Sequence, residues 1–201
     1  MEQFLQAAAQ QVIKDEEFSG QDFQGISSAG STWKNVSLED SRLTDCKFQN
    51  CTFRFCNFNG AVFHRCEFLN CSFQLTGLFS AEFRACKMTG SVFSECSTVG
   101  LQISGGNWSY AVLRFLDLSR QDFSGCNLSE TDFTGCNLYK ADFTDSNLHQ
   151  AILAQANLQE ADLRGAQLGG VSFATAKIKG AKIDMQQAVL LAESMGFLVD
   201  I

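Results

Sequence analysis

The sequence predicts an all-β solenoid, a chain wound into stacked short coils. Three observations carry this. Every fifth residue from Phe18 to Ile183 is large and apolar, Ser28 and Thr98 excepted, and the frame never slips. The residue two before each of these is small, mostly Ala, Cys, Ser or Thr. Proline is absent from all 201 residues. A period of five fits neither a helix at 3.6 nor a strand at 2. It fits a coil that turns a corner every five residues and points one large and one small side chain inward per side. Large and small inward residues let stacked coils pack without voids. A chain without proline keeps every backbone N–H free to bond to the next coil. Repeats such as Cys126-Asn127-Leu128-Ser129-Glu130 and Ala141-Asp142-Phe143-Thr144-Asp145 show the whole unit, with turn-forming Gly, Asn, Asp and Ser at the corners.

Taken in order, residues 1–16 predict an N-terminal capping helix, because Phe4, Leu5, Ala8, Ala9, Val12 and Ile13 recur at helical spacing. The segment lacks the basic start and continuous apolar core of a signal peptide. Residues 17–183 form the repeat body. The pattern is weakest at 24–37 and 97–117. There Ser28 and Thr98 take core centres, Ile26, Leu101 and Leu116 fill small-residue slots, and Trp108 is bulky for its position. A distortion is expected at these stretches, and not a domain boundary, since the frame resumes unchanged. Residues 184–201 predict a C-terminal helix and tail. Asp184 suits the N-cap with Gln187 three residues on, and Gly196 suits the position after the C-cap. Met185, Ala188, Val189, Ala192 and Met195 share one face, while Leu190, Leu191, Phe197, Leu198 and Val199 leave apolar surface elsewhere. One apolar side suits the last coil. The other suits a second copy, giving a homodimer joined end to end through Met185, Val189, Leu190, Leu191, Met195, Phe197, Leu198 and Val199, or folds back onto the monomer.

The repeat resembles the pentapeptide-repeat family over residues 18–183. That resemblance implies a right-handed quadrilateral β-helix of about eight coils, four repeats per coil. At about 4.8 Å per coil the rod is about 40 Å long. Each coil then contacts only its neighbours, and both ends need caps. The ending Lys182-Ile183-Asp184, Gln187-Ala188, Leu190-Leu191, Glu193, Gly196 and Val199 resembles that of the Qnr quinolone-resistance proteins. That subgroup, with the related MfpA, albicidin-resistance and microcin-immunity proteins, is implied to dimerise through this end. It is also implied to act on type II topoisomerases, DNA gyrase above all, by imitating DNA. Qnr proteins of Gram-negative bacteria carry loops that interrupt the frame; this chain has none and is similar to the loop-free members.

Composition narrows the chemistry. Acids number 22 against 15 bases, the net charge is −7, and the pI is about 4.8. This argues against direct nucleic-acid binding and against an anionic membrane partner. No apolar run approaches the length of a membrane span. All nine cysteines, from Cys46 to Cys136, fall on the small-residue position, which marks them as core filler. Their odd number fits reduced thiols and a cytoplasmic location. The two histidines, His64 and His149, both follow a core centre and lie on different sides, so they form neither a dyad nor a shared metal site. No Ser/His/Asp constellation, HExxH motif or phosphate loop is present, and the expectation is a non-enzymatic protein without cofactor or metal.

Two surfaces stand out. Residues 117–162 hold Asp117, Asp122, Glu130, Asp132, Asp142, Asp145, Glu160 and Asp162 against Arg120 and Lys140. With twenty residues per coil, Asp122, Asp142 and Asp162 stack in one column. Asn fills the same slot at 127, 137, 147 and 157, so charge there is not demanded by the fold, although Asp is generic to such repeats. The functional expectation is an acidic rod that imitates the phosphate ladder of duplex DNA and enters the basic saddle of a topoisomerase. The second surface is apolar. Phe55, Leu75 and Phe115 share one column after the core centre, and Phe79, Val99 and Tyr139 share a nearby one. This patch fits either a protein partner or local cover over the distorted stretch. The competing expectation is therefore an interaction scaffold or secreted effector with a non-topoisomerase partner.

Overall fold

The computed structural model describes residues 11–194 and 196–199. The chain is a parallel β-solenoid with four sides. Thirteen three-residue strands, β1–β13, build its first part. Side one stacks β1 (Val12–Lys14), β4 (Thr32–Lys34), β7 (Thr52–Arg54), β10 (Ser72–Gln74) and β12 (Val92–Ser94). Side three stacks β2 (Asp22–Gln24), β5 (Arg42–Thr44), β8 (Val62–His64), β11 (Glu82–Arg84) and β13 (Gln102–Ser104). Side four stacks β3 (Ser27–Ala29), β6 (Lys47–Gln49) and β9 (Glu67–Leu69). Side two has single-residue bridges only, Glu17 to Ser37, Asn57, Gly77 and Ser97 in turn. Every pairing between strands is parallel, and Phe53 faces Phe73 and Phe63 faces Phe83. Beyond Ser104 all four sides continue as single bridges, reaching Lys182 through Asp122, Asp142 and Asp162 on side three.

The five-residue period has a backbone cause. The last residue of each repeat, from Asp15 to Gly170, holds a positive φ, so each corner is a left-handed residue. The small slot also has a chemical cause. Its side chain donates to the carbonyl 23 residues earlier: Ser41 to Phe18 at 2.7 Å, Thr131 to Trp108 at 2.8 Å, Cys66 to Leu43 at 3.3 Å and Cys86 to Phe63 at 3.3 Å. Ser, Thr and Cys are therefore small donors as well as filler. All nine cysteines are free, and burial pushes the Cys56 and Cys126 thiols up to about 11 and Cys136 to about 12.

The core is a pile of rings. Phe48 stacks on Phe68 at 4.9 Å, Phe53 on Phe73 at 5.0 Å, Phe63 on Phe83 at 4.8 Å and Phe73 on Phe93 at 4.5 Å. Each buried ring is worth about 2–3 kcal/mol of transfer energy, and each favourable ring pair about 1 kcal/mol more. Trp33 and Trp108 are buried too, and their indole N–H groups find no partner.

One end differs from the sequence expectation. Val12–Lys14 is a strand pairing with Thr32–Lys34, and not part of a helix over 1–16. Ile13 is buried because it continues the every-fifth series one repeat before Phe18, and tertiary pairing overrides the helical pattern. The repeat body thus starts before residue 17. Residues 1–10 of the expected helix lie outside the described residues.

At the other end α1 (Met185–Ser194) matches its expected signals. Asp184 Oδ1 accepts the Gln187 amide and Gln187 Oε1 accepts the Asp184 amide, both at 2.9 Å, a reciprocal capping box. Gly196, with φ of 90°, donates to Glu193 O, and Phe197 donates to Ala192 O, as a Schellman ending requires. Buried Gln187 ties the helix to the last coils through Leu163 O at 2.6 Å and Ala166 O at 2.7 Å.

The expected distortion at 97–117 is a seam. Leu78 donates to Ser97 O and Leu118 to Asn137 O, but Thr98 reaches Asp117 O only through its hydroxyl, at 3.1 Å. Next to it Gln121 spans the coils, its Oε1 accepting the Ile103 amide at 3.0 Å and its Nε2 bonding to Leu101 O. Large residues in small slots, Leu101, Leu116 and Gln121, mark this seam: Ser97 makes no bridge to Asp117 on side two, and on side three Ser104 instead of Gln102 meets Asp122. Sides one and four stay bonded, Val92 to Val112 and Asn107 to Asn127.

Candidate functional site

The slot before each core centre explains its own preference for Asp and Asn. The side-chain oxygen accepts the amide two residues on: Asp122 from Ser124 at 3.0 Å, Asp142 from Thr144 at 2.8 Å and Asn147 from His149 at 3.0 Å. Either residue serves this turn. Asn does more, because its amide also bridges coils. Asn147 donates to Asn127 at 3.2 Å on side four, and Asn157 to Asn137 at 3.0 Å and Asn137 to Asp117 at 3.0 Å on side two. Side three carries Asp122, Asp142 and Asp162 instead, in consecutive bridges. Two carboxylates cannot donate to each other. At about 4.8 Å they repel by about 0.9 kcal/mol in water before screening.

The eight acids do not form one face. Asp122, Asp142 and Asp162 line side three, and Asp145 is exposed at the neighbouring corner with side four. Asp117 lies on side two. Asp132 lies on side one, buried against Arg114 at 2.6 Å, and Glu130 sits at the corner of sides four and one. Burial alone would raise the Asp132 carboxyl, but its bonds from Thr134 and Arg114 outweigh that and lower it. Glu160 is occupied by Lys140 at 3.2 Å and by the Tyr139 hydroxyl at 3.0 Å. Asp162 is held by Arg164 at 2.6 Å and by Lys182 at 3.5 Å, which bring its carboxyl down to about 2, Arg164 contributing most. The charge open to a partner is therefore concentrated at Asp122, Asp142 and Asp145, with Asp117 beside them.

The apolar columns are exposed where they were expected. Phe55, Leu75, Phe79, Val99 and Phe115 are all exposed, and Tyr139 is half-buried over the Lys140–Glu160 pair. Val92 on side one extends the patch. Sequence reasoning missed two contributors here: Gln121 as the wedge of the seam, and the basic column Lys14, Lys34 and Arg54 beside Phe55. The first was visible as an oversized residue in a small slot, the second as bases spaced by twenty.

The C-terminal residues are split by exposure. Met185, Leu190, Phe197 and Leu198 are exposed, Leu198 at 98%. Val189, Leu191 and Val199 are half-buried, and Met195 lies outside the described residues. An open groove of about 1080 Å³ runs between α1 and the last coils, lined by Leu168, Val171, Phe173, Ile178, Leu190 and Leu191 among others. His64 lies on side three and His149 on side four. Among the described residues no group of three or more His, Cys, Asp or Glu is placed to hold a metal, and no helix is long and apolar enough to cross a membrane.

Comparison with known proteins agrees with this architecture. The pentapeptide repeat region matches residues 116–189, and the eight-copy pentapeptide repeats match residues 41–76. No curated protein sequence matches the chain significantly. Among solved structures, a trypsin-treated form of QnrB1, a plasmid-mediated fluoroquinolone resistance protein, is 23% identical. It superposes with a TM-score of 0.57, over 96% of this chain and 99% of that one. Full-length QnrB1 is 22% identical over 94% and 99% of the two chains, with a TM-score of 0.41. A pentapeptide repeat protein, Rfr23, from the cyanobacterium Cyanothece 51142 is 22% identical over 67% and 60%, with a TM-score of 0.30. The chain belongs to the pentapeptide-repeat family, and its fold is that of QnrB1.

Proposed function

We propose that this protein is a DNA mimic that binds a type II topoisomerase, DNA gyrase or topoisomerase IV, and modulates it or protects it from quinolones and other poisons. One observation carries the reading. Sides two and four use Asn ladders whose amides bridge the coils, whereas on side three Asp122 and Asp142 give up those bonds for carboxylates held only by the local turn. Asp and Asn serve the local turn equally, so at Asp122 and Asp142 the fold gains nothing from the charge. A basic saddle shaped for phosphates does. The kinship in fold with a fluoroquinolone resistance protein supports the same reading. The exposed apolar residues of α1 and the tail, Met185, Leu190, Phe197 and Leu198, suit a second copy joined end to end, which would present two acidic rods in one line.

The test is gyrase binding at two salt concentrations. Charge mimicry predicts an affinity lower by about tenfold or more at 200 mM than at 50 mM salt. It also predicts a comparable loss when Asp122, Asp142 and Asp145 are changed together to Asn. Equal affinity at both salts would sink the mimicry. A second reading, a scaffold for a different protein, is favoured by the exposed apolar corner.

A further inference from the structure

The corner between sides one and two carries large apolar side chains that the coil does not demand. Phe55, Leu75 and Phe115 hold left-handed φ values of 54°, 51° and 60°. A side chain bearing Cβ costs about 1–2 kcal/mol there. The same corner holds Asp15, Asn35, Glu95 and Gly135 in other coils, residues that suit it or face water. These three apolar side chains are 45%, 42% and 73% exposed, and Phe115 recovers least of that cost by burial. Phe79 and Val99, 53% and 65% exposed, continue the stripe on side two. The Phe115 ring lies over Gly135, where a Cβ would come within 2.4 Å of a ring carbon. The left-handed backbone belongs to every corner of the coil from Asp15 to Gly170, but large apolar side chains at this one do not, and a contiguous exposed apolar stripe is a mark of a partner surface.

The charges beside the stripe say what it meets. Lys34 and Arg54 stack in the adjoining column of side one. Neither has an ion-pair partner among the described residues. The Arg54 guanidinium sits 5.0 Å from the Phe55 ring centroid, which leaves its edge open to a carboxylate. Glu95 interrupts the column between Leu75 and Phe115 and divides the apolar contact into two sections. Phe55, Leu75 and Phe115 lie at the corner of sides one and two, diagonally opposite the corner of Asp145, whereas Val99 lies beside Asp122 at the seam.

We infer that this corner is a second protein-binding surface, which takes an acidic amphipathic segment of a partner, its Leu or Phe side chains on the Phe55–Leu75–Phe115 stripe and its carboxylates on Lys34 and Arg54. The rod then joins two partners, one on each side.

The test uses the full chain and a fluorescein-labelled acidic amphipathic peptide, with Leu and Phe on one helical face and Glu on the other. Controls are the same peptide with every Glu replaced by Lys, and vesicles of phosphatidylserine and phosphatidylcholine. The acidic peptide is expected to bind, and the basic peptide and the vesicles are not. The triple variant Phe55→Asn, Leu75→Asn, Phe115→Asn is expected to weaken binding by about tenfold or more while keeping or raising Tm, because Asn tolerates the left-handed corner. Lys34→Glu with Arg54→Glu is expected to weaken it as well. A lower Tm in the triple variant would make the stripe structural cover. Equal binding of both peptides, capture by vesicles, or no binding of the acidic peptide would overturn the proposal. Gyrase binding through the acidic side is read separately and is unaffected by these outcomes.

Discussion

Residues 12–104 and residues 107–182 share one period but not one backbone. The first stretch forms extended strands on three sides around stacked Phe rings, with seven of the nine cysteines in its small slots. The second is held by single bridges around Leu, with Phe123, Phe133 and Phe143 the only buried rings of that kind and Ala prominent in the small slots. The change coincides with the seam at Leu101, Leu116 and Gln121. The repeat therefore fixes the corner and the ladder, while core volume accompanies the choice of backbone between corners. The surfaces divide in the same way. The apolar stripe begins on the strand half and crosses the seam to Phe115. The carboxylate ladder belongs to the bridge half.

The largest contrast should appear on deleting core side chains. Phe73→Ala removes a ring stacked on both Phe53 and Phe93 and should cost about 3–5 kcal/mol, whereas Leu138→Ala should cost about 2–3 kcal/mol. Urea unfolding of both variants reads this. Equal costs would mean that the two halves do not differ in packing. Next, Gln121→Ala removes the wedge that satisfies Ile103 N–H and Leu101 C=O, a loss of about 1–3 kcal/mol felt locally. Hydrogen exchange at Ile103 should accelerate by about tenfold or more while Phe73 stays protected. Unchanged exchange at Ile103 would remove the seam as a boundary.

The Asp162 cluster gives the bridge half a pH signature larger than the lowered but exposed Asp15, Glu17 and Asp45 give the strand half. Its carboxyl lies at about 2 in the fold, below an ordinary value near 3.9. A lowered carboxylate contributes stability that is fully present above the unfolded value and is lost as pH falls from about 4 towards 2. Asp162→Asn should cost about 1 kcal/mol at pH 7 and flatten that loss, as thermal melts across the range would show. The smallest effect has the opposite sign. Asp142→Asn should stabilise by about 0.5 kcal/mol or slightly more, by relieving repulsion and supplying a bridging amide. A destabilised variant would mean that the carboxylate ladder serves the fold.

Much of this was legible in the spacing. The solenoid, the inward cysteines, the capping box of Asp184 and Gln187, the exposed Phe55, Leu75 and Phe115 and the distortion near Thr98 all follow from position within a repeat. What escaped was set by contacts across coils. Val12 and Ile13 fit a helix by local pattern, and only pairing with Thr32–Lys34 makes them a strand. The eight acids looked like one face because their sum was read along the chain, but Asp132 faces the other way and is neutralised by Arg114. Glu160 likewise has its cation, Lys140, on the neighbouring coil, and Asp162 has Lys182 there besides Arg164 in its own repeat.

The most direct test of the account is a DNA gyrase supercoiling assay with a fluoroquinolone, titrating the wild-type protein against the Asp122→Asn, Asp142→Asn, Asp145→Asn variant. The account predicts that the wild type changes gyrase activity, by restoring supercoiling under drug or by inhibiting it without drug. It also predicts that the variant, folded and at least as stable, loses most of that effect. A wild type without effect at micromolar concentration, or a variant as active as the wild type, would contradict it.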